Sequence, residues 1–148
     1  MTPFQADSLR CFRLQLVNAS SILKTLLERR TEFSEALPVQ QRRVAELTDT
    51  PDLADDKILA LVMAERKITL IFSVLNSVAA EIATKEIFLI DQLQKFKAFF
   101  SELQPQVMNV PEHRLPVWAA DNASPPFFRA ESALNEIDRL LETETKTA

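Results

Sequence analysis

The stretch LVMAERKITLIFSVLNSVAAEIATKEIFLIDQLQKFKAFFSEL, residues 61–103, decides the fold. Leu61, Ile68, Leu75, Ile82, Leu89, Phe96 and Leu103 recur along it at a strict interval of seven. A companion row (Ile58, Glu65, Phe72, Ala79, Glu86, Leu93 and Phe100) precedes each of them by three residues. Neither proline nor glycine interrupts the run. Two rows sustained over so many heptads predict a long helix packed along a left-handed, coiled-coil-like seam.

The same signature occurs upstream. Leu9, Leu16, Leu23, Arg30 and Leu37 fall one heptad apart, and Phe12, Ala19, Leu26 and Phe33 fill the row three residues on. The two sets of rows can be laid antiparallel, with the chain reversing after Leu37 so that Leu37 meets Ile58. Arg30 then faces Glu65, Leu23 faces Phe72, Leu9 faces Glu86 and Phe12 faces Ile82. Glu65, an acid on an apolar row, could be read as an acid/base group. The better reading is a structural pair with Arg30 that fixes register. In that reading Arg30→Leu alone costs about 3–5 kcal/mol, while leucine at both sites is neutral or stabilising. Glu86 falls at the end of the first seam, within reach of solvent.

Proline sets the limits of these helices, because the chain of 148 residues contains eight prolines and no glycine. Thr2-Pro3, Thr50-Pro51 and Ser124-Pro125 read as helix starts, the hydroxyl capping an orphan N–H and proline taking the first helical position. Gln5 completes a capping box with Thr2. Asp52, Asp55 and Asp56 suit the positive end of the second helix. Stops fall at Leu37-Pro38 and Gln104-Pro105, since a residue before proline resists the α region. The expected order is helix one over 1–37, a connector over 38–50 with a short helix at 39–47, and helix two over 51–104. A proline-rich strap follows over 105–125, then a C-terminal helix over 126–142 and a frayed tail over 143–148. This is an all-α single domain: a long antiparallel hairpin with a connector helix and a C-terminal helix, forming a small bundle.

The missing glycine also bears on function. Phosphate loops, dinucleotide-binding turns and nucleophile elbows each need glycine for a steric reason, and all three are excluded. One histidine and one cysteine provide no metal-ligand cluster and no internal disulfide. His113 reads as a solvated loop residue, and Cys11 as a partly buried small residue flanking the seam. No catalytic, cofactor-binding or metal-binding residue is assigned. A net charge of −4 and pI near 5.1 argue against nucleic-acid binding. The longest charge-free run, residues 68–80, is shorter than the roughly 20 apolar residues of a membrane span. No signal peptide is evident, so a soluble protein of the cytoplasm, a reducing compartment, is expected.

In this register helix two outruns helix one by about 24 Å at 1.5 Å per residue. Nine large apolar side chains lie on the overhang, residues 87–103. Leaving them in water would forfeit on the order of 15–25 kcal/mol, more than the net stability of a domain. Either the C-terminal helix, with its stripe of Phe127, Ala130, Leu134, Ile137 and Leu141, or a second copy of the chain must cover them. The function expected is a non-enzymatic protein–protein interaction module: an adaptor, scaffold or chaperone-like hairpin that binds a protein partner or forms a homodimer. Its interface candidates are Ile87, Phe88, Ile90, Phe96, Phe99, Phe100, Trp118, Phe127 and Phe128. Trp118 and the Phe127-Phe128 pair have a second reading, as pins of the strap. The alternative function is a bundle that binds a small apolar ligand or lipid in a pocket lined by Phe72, Phe88, Phe96, Phe99 and Phe100.

Overall fold

Helix α1, Pro3–Thr48, opens on the expected capping box. The Gln5 backbone N–H donates to Thr2 Oγ1 (3.1 Å), and the Thr2 N–H donates to Gln5 Oε1 (2.8 Å). The computed structural model describes residues 1–49, 54–120 and 124–147, with side chains through 144. Helix α2 follows over Asp55–Leu103, α3 over Pro105–Met108, a 3-10 turn over Glu112–Arg114 and α4 over Pro126–Thr147. The start expected at Thr50-Pro51 lies outside the described residues. Among the described residues there is no strand and no positive φ, as suits a chain without glycine.

Two boundaries differ from the sequence reading. The stop at Leu37-Pro38 is absent, and α1 continues through Pro38 to Thr48. The connector expected over 38–50 is therefore the last part of α1. Proline inside a helix forfeits one backbone hydrogen bond and crowds the carbonyl four residues back. Here Leu37, Gln40, Val44 and Leu47 keep a half-buried helical stripe across it, and tertiary packing outweighs the local penalty. At the C-terminus, helix α4 continues through most of the tail that was expected to fray. It begins at the second proline of the pair, with the Pro125 carbonyl accepting from Arg129 N. The Gln104-Pro105 stop is observed, with Gln104 leaving the helical region at φ −136°.

The chain divides into two compact units. One comprises Met1–Lys24 and Thr84–Ala148, the other Thr25–Ala83. In each, an early stretch of α1 associates with a late stretch of α2 or the converse, which makes the two long helices antiparallel.

The first unit holds most of the core. Leu9, Leu16 and Leu23 of α1 are buried, as their heptad row predicts. Leu89, Leu93, Phe96 and Phe100 of α2 are buried with them, as are Ala130, Ala133 and Ile137 of α4. Phe12 lies 5.6 Å from Phe96 and 5.7 Å from Phe99, ring centre to ring centre. The sequence register placed Phe12 against Ile82, so the observed pairing is displaced by fourteen residues, or two heptads. A seven-residue repeat is degenerate under such a slip. The Pro38 stop had fixed the wrong reversal point, and extending α1 to Thr48 moves it. With the slip the overhang disappears. The start of α1 reaches the end of α2, and α4 packs in the same unit.

The burial along α2 also departs from a strict heptad. Its fully buried residues are Ala64, Ile71, Val78, Ile82, Leu89, Leu93, Phe96 and Phe100. Ala64, Ile82 and Phe100 are eighteen residues apart, as are Ile71 and Leu89, and Val78 and Phe96. Eighteen residues are five turns at 3.6 residues per turn. The buried line thus follows the period of a straight α-helix, from which a seven-residue row drifts by about 20° per heptad. The central row from Leu61 to Leu103 is buried or half-buried throughout, but its companion changes side. Leu93 and Phe100 are core, whereas Ile58, Glu65, Phe72 and Ala79 are exposed.

The Arg30–Glu65 pair depended on that companion row. Both side chains are exposed, and no ion pair among the described residues joins them. Arg30→Leu is accordingly expected to change stability by no more than about 0.5 kcal/mol in urea denaturation, not the several expected of a buried partner.

Candidate functional site

Among the described residues of the unit Thr25–Ala83 two helical segments meet, and each can bury one stripe against the other. Five hydrophobic residues among them are buried: Leu26, Ala64, Ile71, Val78 and Ile82. Yet the α2 segment is apolar on more than one face. Leu59, Val62, Met63 and Leu70 follow one another at helical spacing on an arc away from the buried line, with exposures of 63, 38, 48 and 61%. Ile58 (45%) and Phe72 (46%) extend the apolar surface on the other edge, beside exposed Glu65. Single exposed apolar residues are ordinary, but six within fifteen positions of one helix form a patch of the kind that marks contact sites. At 1.5–3 kcal/mol per fully buried side chain, covering these half-exposed groups would contribute on the order of 5 kcal/mol. Exposed Asp55, Asp56, Arg66 and Lys67 border the patch.

The residues singled out from the sequence lie elsewhere, in the first unit. Of the nine interface candidates, Phe96, Phe100 and Trp118 are fully buried and Phe88, Ile90, Phe99 and Phe127 are half-buried. Ile87, at 68%, and Phe128, at 56%, remain exposed. Trp118 packs at 4.6 Å from Phe96 and 5.0 Å, edge-on, from Phe100. It pins the segment between α3 and α4 into the core, the second of its two readings. Residues 109–120 of that segment are folded by their own backbone bonds, among them Leu115 N to Glu112 O and Ala119 N to Pro116 O. Phe127 and Phe128 meet edge to face at 5.7 Å.

Sequence reasoning missed Arg129. It is 5% exposed, and its Nη2 donates to the Trp118 carbonyl at 3.3 Å. An arginine three residues past a proline pair and next to two phenylalanines gives little warning that it will be buried. It holds the backbone of the tryptophan while the rings beneath hold the indole. Nearby, Arg13 of α1 and Asp138 of α4 form a surface bridge of 2.7 Å.

The phenylalanines expected to line a ligand pocket are divided between the two units. Phe72 belongs to the unit Thr25–Ala83, while Phe96 and Phe100 close directly on Trp118. An open groove of about 480 Å³ lies in the first unit. It runs between Met1 and Gln5 of the chain start, Glu102 and Leu103 of α2, and Leu140 and Thr143 of α4. His113 is exposed on its 3-10 turn, and Cys11 is an exposed free thiol, not the half-buried residue expected. Among the described residues no group of three metal-ligating side chains comes together. No helix there is long and apolar enough to cross a membrane.

Comparison of this chain with protein-family models, with curated proteins and with solved structures finds no match in any of the three.

Proposed function

We propose that this protein is a non-enzymatic protein–protein interaction module whose contact surface is the exposed apolar face of α2 between positions 58 and 72. The observation that carries this reading is the contrast between the two units. Among the described residues, sixteen of the twenty-one buried hydrophobic residues belong to the first, and the second presents six large apolar side chains to solvent on one helix segment. The first unit acts as the stable anchor, and the second presents the surface of an adaptor, scaffold or chaperone-like hairpin. The interface moves from the expected 87–103 segment to the opposite half of the same helix.

The test is Leu59→Ser, Met63→Ser and Leu70→Ser combined in the full chain. In dilute wild-type protein a hydrophobic dye such as ANS binds the face, and in the triple variant that binding falls severalfold. Thermal unfolding stays within a few degrees of wild type, because exposed side chains contribute little to the fold. If the midpoint instead falls steeply, or wild-type protein binds no dye, these side chains are already covered and the reading fails.

A further inference from the structure

The face just described carries a charge pattern that names its occupant. At 100° per residue, Asp56, Leu59, Met63, Arg66 and Leu70 lie within an arc of about 80° along α2, and Asp55 and Lys67 flank it about 20° further out. Asp55, Asp56, Arg66 and Lys67 are all exposed, and among the described residues none of them forms an ion pair. Leu59 and Met63 are equidistant from position 61. Asp56 and Arg66 share that midpoint, and so do Asp55 and Lys67. The segment is acidic at one end, basic at the other and apolar between.

Such a pattern is complementary to its own reverse. In an antiparallel pair with a two-fold axis at position 61, Leu59 of one copy meets Met63 of the other, and the converse contact repeats it. Asp56 meets Lys67 on one side of the seam and Asp55 meets Arg66 on the other, each twice. A parallel pairing would set acid on acid and base on base. Helices associate in the arrangement that pairs their flanking charges and avoid the one that opposes them. The contact is isologous, so no other protein is required to complete it.

We infer that this protein forms an antiparallel homodimer through the first turns of α2, with its two-fold axis at position 61. The inference rests on the reading of the α2 face as a contact surface, and it adds the partner, a second copy, and the geometry. The dimer is concentration-dependent, because the paired segment is short. Its charged rim sets orientation while Leu59 and Met63 supply the apolar contact.

Two double variants of the full chain test it by sedimentation. In one, Asp55→Lys and Asp56→Lys leave only basic charge on the rim. In the other, Arg66→Glu and Lys67→Glu leave only acidic charge. Each is expected to self-associate at least about tenfold more weakly than wild type, since like charges then face each other. An equimolar mixture restores the dimer, because each basic segment then meets an acidic one. Circular dichroism confirms that each variant is folded. Asp55 and Asp56 also lie in the first turn of α2. Should their replacement fray that turn, the Arg66→Glu, Lys67→Glu protein decides alone: it is monomeric if the inference holds.

Wild-type protein that stays monomeric over a hundredfold concentration range, double variants as dimeric as wild type, or a mixture that does not dimerise would each overturn the inference. Dimers that survive both charge reversals but are lost in the Leu59→Ser, Met63→Ser, Leu70→Ser protein would keep the face and exclude the antiparallel geometry. A monomeric wild type that still binds dye at this face would leave the surface to a different protein.

Discussion

Replacing Trp118 by alanine is expected to destabilise the protein by about 3–5 kcal/mol, the range for truncating a buried aromatic side chain. The indole is 1% exposed and lies against Phe96 and Phe100, so alanine leaves a cavity that rigid helices cannot close. The loss compares with the whole stability of a domain, about 5–15 kcal/mol. It falls on the unit that holds most of the core. Urea denaturation followed by far-ultraviolet circular dichroism measures it, because the variant has no other tryptophan to report fluorescence. Phe128→Ala, at a 56% exposed neighbour of the same region, is the contrasting case and should stay within about 1 kcal/mol. Equal effects at the two positions would mean that Trp118 does not occupy the core.

Pro38→Ala should stabilise the protein by about 2 kcal/mol. Proline in a helix interior costs about 3 kcal/mol against alanine through the lost bond and the ring clash. Part of that is returned by the more restricted unfolded chain, about 0.4–1 kcal/mol. Pro38 is exposed within α1, so alanine removes no packing and supplies an N–H facing the Ser34 carbonyl. For a chain of this size the gain corresponds to a rise of roughly 4–8 °C in melting temperature. The amides around position 38 should also exchange more slowly. A lower melting temperature would show that α1 ends at Leu37 after all.

These two positions mark what the sequence could and could not convey. The Thr2–Gln5 capping box, the row of Leu9, Leu16 and Leu23, and the Gln104-Pro105 stop are local or strictly periodic features, and each is found where the residues place it. Pro38 misled because its penalty is local, and the half-buried stripe that outweighs it forms only on folding. From that one boundary the register error follows, since heptad rows fit equally well after a slip of two repeats. The companion row failed for a related reason: an interval of seven extended over six heptads accumulates about 120° of drift on a straight helix. Ile58 and Phe72, placed by extrapolation on the seam, are for that reason exposed parts of the candidate site. The site was legible as an excess of apolar residues on α2, but the half of the helix that would be left bare depends on where α1 begins and ends. Arg129 gave no periodic signal, because its burial depends on the Trp118 carbonyl eleven residues upstream.

Hydroxyl-radical footprinting of the full chain, at low and at high protein concentration, tests the central claim most directly, since it reads the solvent exposure of individual side chains. In dilute protein Leu59, Met63 and Leu70 should be labelled strongly, with Leu93, Phe96 and Trp118 protected. At high concentration Leu59 and Met63 should become protected, while Phe72, on the other edge of α2, stays labelled. Protection of Leu59, Met63 and Leu70 in the dilute protein, or strong labelling of Leu93 and Phe96, would contradict the account. Either result would place the bare face of α2 somewhere other than its first turns.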